Sequence, residues 1–384
     1  MQWRTWTWAC ITMAIASAIA WLTVEPFWAR NWAPPFILPH VRPEVSAPVD
    51  GPFYLILALH GYQWRSHTPT LLWFHPLVAV LIALPARVVA PQLALWIFTV
   101  LCALVCIVLA WRIAPEFFDG FSLPPPYMLA AIAAPAGISM ATGNAEVPEL
   151  LANLGLVASL LVWRSAWLSA LLGLAAILIK PNALYMLPVL TVYLFYGLKS
   201  RDRVCVRCCL AGCAGIIAGL IGWIAFVDMH VGVLGAYIHA REAYVQDQEQ
   251  TPLGFFDAFA RSFLYSNDVR DRIRFALGLT VPLVNLWLLA LIPFREERHR
   301  YALGAGYLAM MLIVLLTGNP NKTIVYATTL PSFLLINFGI VAWILGNISE
   351  GVRRSANAIG PLYAIYAFGI TCVYVLGTPY AWYY

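Results

Sequence analysis

Runs of apolar residues near twenty long, divided by short polar turns, decide what this chain can fold into. Leu93–Trp111, Pro125–Thr142, Leu210–Val227, Phe275–Phe294 and Thr323–Leu345 are such runs. A helix rises about 1.5 Å per residue, so about 20 apolar residues cross a hydrocarbon core about 30 Å thick. Across the 384 residues, 62% are hydrophobic and 11% are charged. Soluble domains carry about 25% charged residues. The chain therefore reads as an all-α polytopic membrane protein, a single domain over 1–384 with about 11 transmembrane helices. The net charge of +5 is spread among loops and does not point to nucleic acid. The first apolar segment, Trp6–Val24, lacks a clear small-residue cleavage site and reads as a retained helix.

Further helices are expected after the Gly143–Glu149 turn up to Trp163, over Trp167–Ile179, over Ala183–Leu198, and in a ninth helix ending at Thr317. The last helix reaches the C-terminus. Two long polar segments interrupt the pattern, at 24–92 and 228–274. Within the first, Phe53–Tyr62 and Leu71–Val89 are too short or too broken by Pro76 and Pro85 to span, and read as interfacial helices. The two short runs meeting at Lys180-Pro181-Asn182 imply a turn sunk below the membrane surface, which is tolerated only where it lines a cavity.

Charge sets the orientation. The short loops on the N-terminal side hold 12 of the 23 basic residues, among them Arg112, Arg164, Lys199, Arg201 and Arg203, whereas the short turns opposite hold only Lys180 and Lys322. Basic short loops stay in the cytoplasm. The N-terminus is thus expected inside and the C-terminus outside. No internal repeat is visible, which disfavours a transporter built from inverted repeats.

The eight cysteines do not read as a disulfide framework. Cys10, Cys102, Cys106 and Cys372 lie in apolar runs, and the spacing of Cys205 and Cys208 lacks a second ligand pair for zinc. His60, His67 and His75 have no spacing for a shared metal site and read as interface histidines.

Unexplained polarity gathers on the outer side. It comprises Asp50, the turn with Asn144, Glu146 and Glu149, then Lys180, Asp228 with His230, and Asn321 with Lys322. Ionisable groups near a membrane face a cavity or a partner. The bland readings are an N-cap for Asp50, a snorkelling Lys180, and dipole-favoured acids in the first turn of a helix for Glu146 and Glu149.

The stretch from Asp50 through Tyr54, Ile56 and Ala58 to Gly61-Tyr62 resembles the first outer loop of the GT-C glycosyltransferases, in particular the PIG-V mannosyltransferases and glycosyltransferase family 87. Phe74-His75-Pro76-Leu77, Gly143-Asn144 with a following acid, Gly173-Leu174-Ala175 with Lys180-Pro181, and Lys322 with Tyr326 and Pro331 match further family features in the same order. His75 alters the aromatic-aromatic-Pro pattern, and Lys322 stands where family 87 often has His.

The resemblance implies a GT-C-like fold and an inverting hexosyl transfer, mannose first, from a polyprenyl-phosphate-linked sugar to a lipid or glycan acceptor. The setting would be a bacterial inner membrane, with the active site on the periplasmic side. An attacking hydroxyl must lose its proton to a base within about 3 Å, and Asp50 takes that role. Charge developing on the leaving phosphate calls for fixed cations, assigned to Lys180, Lys322 and Arg241. Tyr54, Tyr62, Trp64, Asn144, Glu146, Glu149, Asp228, His230 and Asn321 are the expected substrate contacts. With such cations no metal or other cofactor is expected, although Asp247-x-Glu249 has the form of a metal pair. Two rival readings are a transporter or flippase for a lipid-linked saccharide, using the same cavity, and a non-catalytic subunit of a glycan assembly complex.

Overall fold

The computed structural model describes residues 51–62, 72, 74–117, 145–240, 289–290 and 294–317. Most of these residues are helical, with no strand among them. The helices are α1 (Gly51–His60), α2 (Pro76–Ala83), α3 (Pro85–Val88), α4 (Pro91–Phe117), α5 (Glu146–Leu161), α6 (Ala166–Ile179), α7 (Met186–Lys199), α8 (Arg203–Val231) and α9 (Glu297–Thr317). A 3-10 turn, Pro181–Tyr185, joins α6 to α7. Two stretches are long and apolar enough to cross a membrane: Pro181–Lys199 and Arg203–Val231.

Local chemistry fixes the ends. Ser165 caps α6 by accepting from the Leu168 N–H at 3.4 Å. Asp202 caps α8 by accepting from the N–H groups of Val204 and Cys205 at 3.2 and 3.1 Å. Gly232, with φ of 74°, closes α8 in the left-handed conformation that glycine adopts at little cost. Those caps make α8 longer than the apolar run Leu210–Val227 alone indicates. The helix takes in the cysteines at its start and Asp228 and His230 at its end, residues expected at a boundary and in a loop. Two other helices also outrun their apolar cores. α4 continues past Arg112 to Phe117, and α9 begins at Glu297 among charged residues.

Between α5 and α6 the chain turns at Arg164, which has a positive φ of 50° and donates to both carboxylate oxygens of Asp202 at 2.6 and 2.7 Å. One short turn is thereby tied to the next, at residues 200–202. The Asp202 carboxyl is held below the usual carboxylate range by the Arg164 guanidinium and by the Cys205 N–H.

α6 and α8 lie almost backbone to backbone. A Cβ built on Gly173 would sit 2.5 Å from the Gly212 carbonyl oxygen, and one on Gly215 would collide with the Ala170 carbonyl. Small residues permit this approach, and dispersion contacts then act along both helices. α5 packs on α6 through Ser159 and Ser169, whose hydroxyls meet at 2.7 Å. α7 packs on α9 through the Tyr193 hydroxyl and His299 Nδ1 at 2.8 Å. Cys205, Cys208 and Cys209 are buried in this core as small apolar groups. Val80 on α2, Leu84 at the α2–α3 turn, Leu101 and Val105 on α4, and Leu210, Ile217, Ile221 and Phe226 on α8 are exposed.

Candidate functional site

The break between α6 and α7 comes from Pro181. It cannot supply the N–H that the Ile177 carbonyl would receive in a continuing helix. The orphaned carbonyl is met instead by His75 Nδ1, from the residue just before α2. His75 therefore carries its proton on Nδ1, and Nε2 accepts from the Tyr237 hydroxyl at 2.9 Å. The ring is fully buried within the protein, and burial pushes its pKa down to about 4.

Just beyond Ile177 the same break turns Lys180 back towards α5. Lys180 Nζ donates to Glu146 Oε1 at 2.5 Å, with side-chain exposures of 14% and 6%. The two residues are 34 positions apart in sequence, and α5 and α6, folding into an antiparallel pair, bring them together. Glu146 stands in the first turn of α5, behind Ala145 at the N-cap, and its side chain makes no capping bond.

Glu149 lies one turn further along α5 and is 1% exposed. Neither of its carboxylate oxygens has a hydrogen-bond partner among the described residues. One more turn along is Asn153, also buried, whose Nδ2 donates to the Tyr185 hydroxyl at 2.6 Å. Residues three and four apart share a helix face. Glu146, Glu149 and Asn153 thus form one buried polar stripe on α5, facing the break that carries Lys180 and Tyr185. Asn153 and Tyr185 were not singled out from sequence, although the spacing of Asn153 from the two acids was the signal that could have found it.

Tyr62, Asp228 and His230 come together elsewhere. The Asp228 carboxylate accepts from the N–H groups of Gly235 and Tyr237, at 3.0 and 3.4 Å. His230 Nε2 donates to the Tyr62 carbonyl at 3.1 Å. The Tyr62 hydroxyl donates to the Phe74 carbonyl at 2.6 Å, and its ring meets Trp223 edge-on at 5.0 Å. Together with His75 and Tyr237, these residues bind the segment before α2 to the end of α8. Tyr54 is buried with its edge against Phe74.

Asp50, Trp64, Asn144, Arg241, Asn321 and Lys322 lie outside the described residues. Among the described residues, no group of three His, Cys, Asp or Glu side chains is placed to hold a metal ion. No family model matches this sequence, nor does any curated protein or solved structure.

Proposed function

We propose that the chain is a multi-pass membrane glycosyltransferase of GT-C type. It transfers a hexose, mannose first, from a polyprenyl-phosphate-linked sugar to a lipid or glycan acceptor at the outer face of a bacterial inner membrane. About 11 spans, with the N-terminus inside and the C-terminus outside, complete this reading. The supporting observation is the buried Lys180–Glu146 pair beside Glu149, set at a helix break. Charges in such a place cost several kcal/mol to desolvate, roughly, and their retention points to a role beyond packing. The order of family-like motifs along the chain supports the same reading.

In the proposed reaction the acceptor hydroxyl attacks the anomeric carbon as its proton passes to Asp50. The bond to the phosphate oxygen breaks on the opposite face, which inverts the centre. Lys180 exchanges Glu146 for the leaving phosphate, and Glu146 keeps the ammonium charged and oriented between turnovers. Lys322 and Arg241 supply further positive charge.

The test is sugar transfer by the purified protein from polyprenyl-phosphate-mannose to a panel of lipid acceptors, with and without chelator. Asp50→Asn is expected to lower the rate by about 10²–10⁴-fold, the usual worth of a general base, with donor binding retained. Wild-type activity in that variant would remove Asp50 from the mechanism. Transfer that fails with mannose, glucose, galactose and arabinose donors alike would remove the enzyme reading.

A further inference from the structure

The opposite ends of α5 to α8 carry a surface of another character. The turn between α5 and α6 holds Arg164, and the stretch from the end of α7 into α8 holds Lys199, Arg201, Arg203 and Arg207. All of these side chains are exposed. Within residues 162–167 and 199–207 the sole acid is Asp202, and Arg164 holds it at 2.6 and 2.7 Å. That contact clasps the two turns together. Asp202 also takes the first N–H groups of α8, so the positive potential here comes from side chains. Lys199, Arg201, Arg203 and Arg207 form no ion pair among the described residues. The second turn is itself tightly bonded: the Arg201 N–H donates to the Leu198 carbonyl at 3.2 Å and the Asp202 N–H to the Gly197 carbonyl at 2.8 Å.

Exposed apolar side chains lie directly beside these cations. Trp163 and Trp167, 47% and 69% exposed, flank Arg164. Phe195 and Leu198 precede Lys199, and Val204 follows Arg203. Clustered cations attract an anion, but a soluble anion would leave the tryptophans in water. An anionic phospholipid answers both features: its phosphodiester accepts from guanidinium groups, and its glycerol and upper acyl region covers aromatic rings.

We propose that the clasped turns at 162–167 and 199–207 bind the headgroup of an anionic phospholipid in the cytoplasmic leaflet. Lys199, Arg201 and Arg203 take the phosphodiester, and Trp163 and Trp167 cover the chain just below it. The choice of leaflet rests on the topology proposed above. The site itself stands whether or not the chain transfers sugar.

The test uses the full chain reconstituted in phosphatidylcholine vesicles with no sugar donor present. Spin-labelled phosphatidylglycerol or phosphatidylcholine is added to both leaflets, so the result does not depend on orientation. The immobilised fraction should show a several-fold preference for phosphatidylglycerol. Lys199→Gln, Arg201→Gln and Arg203→Gln together should abolish that preference, whereas Arg201→Lys with Arg203→Lys should keep most of it. Equal association of the two lipids with the wild type would overturn the proposal. So would an unchanged preference in the triple variant, which would place the lipid elsewhere. A preference erased by inorganic phosphate, but not by chloride at equal ionic strength, would mean a site for free anions and would overturn it too. Should the triple variant fail to fold, a fluorophore on Ser200→Cys or Gly232→Cys decides. Chain-brominated phosphatidylglycerol should quench the Ser200→Cys probe more than brominated phosphatidylcholine does, with no such difference at Gly232→Cys. The same response at both ends of α8 rejects the site.

Discussion

Lys180 and Glu146 are each other's compensation, so the two side chains should be more costly to lose singly than together. Lys180→Met leaves Glu146 buried with no cation beside it, and a destabilisation of about 3–5 kcal/mol is expected. Adding Glu146→Gln to that variant should restore most of the loss, as read from the denaturation midpoints of the two single variants and the double. Additive losses would show that the pair is not coupled. His75 makes a different demand. Its pKa lies near 4 because burial penalises the charged ring, with the bond to the Ile177 carbonyl acting in the opposite direction. An unfolded histidine titrates near about 6.5. Between those values the unfolded chain takes up a proton that the native chain refuses. The contribution of His75 is therefore complete above about 6.5 and is lost as pH falls towards 4. Melting points measured across that window should decline, and His75→Gln should flatten part of the slope.

At the level of elements, the contact between α6 and α8 is set by backbone proximity, and glycine positions along α8 are not equivalent. Gly215 has the Ala170 carbonyl where a Cβ would go, while Gly222 has nothing within 4 Å. Gly215→Ala should push the helices apart and cost about 1–3 kcal/mol, the range for overpacked sites. Gly222→Ala relieves the entropy of a mid-helix glycine and should stabilise by about 0.5–1 kcal/mol. Thermal unfolding of the two variants in the same detergent checks the contrast; equal effects would mean that the close approach does not govern this interface. The broken element between α6 and α7 shows the complementary principle. Pro181 removes one helical bond, and a side chain 102 residues away in sequence, His75, restores the lost partner. A break of this kind is tolerated in an apolar setting when the orphaned carbonyl finds a partner, as that of Ile177 does.

For the whole molecule, the proposed topology makes a direct prediction across α8. Arg203–Val231 is long enough to separate Ser200 from Gly232 by a full bilayer. Basic residues crowd the Ser200 end, with Lys199, Arg201, Arg203 and Arg207 nearby. Cysteines introduced singly at Ser200 and Gly232, in a background without exposed thiols, should differ in labelling by a membrane-impermeant maleimide on intact cells. Gly232→Cys should react and Ser200→Cys should react only after permeabilisation. The reverse pattern would invert the orientation and place the Lys180 break on the cytoplasmic side.

Much of this arrangement was legible residue by residue. Apolar runs marked the helices because a lipid or helix-packed environment leaves the backbone no other way to satisfy itself. Pro181 announced the break, since a residue with no N–H interrupts any helix that contains it. Helix ends were less legible. α8 runs past its apolar core at both ends because the Asp202 carboxylate and Gly232 cap it, and polar residues between those caps are tolerated once they have partners. What only the tertiary structure decided is which polar groups meet. Glu146, Glu149, Lys180, Asp228 and His230 looked alike in sequence, as ionisable residues at helix ends. Packing α5 against α6 gave Lys180 to Glu146 and left the Glu149 oxygens without a hydrogen-bond partner among the described residues; packing the segment before α2 against α8 turned Asp228 and His230 into fasteners. Helix formation is governed by neighbours a turn away and can be read locally. The choice of partner is governed by which helix faces press together, and that is settled only when the chain is folded.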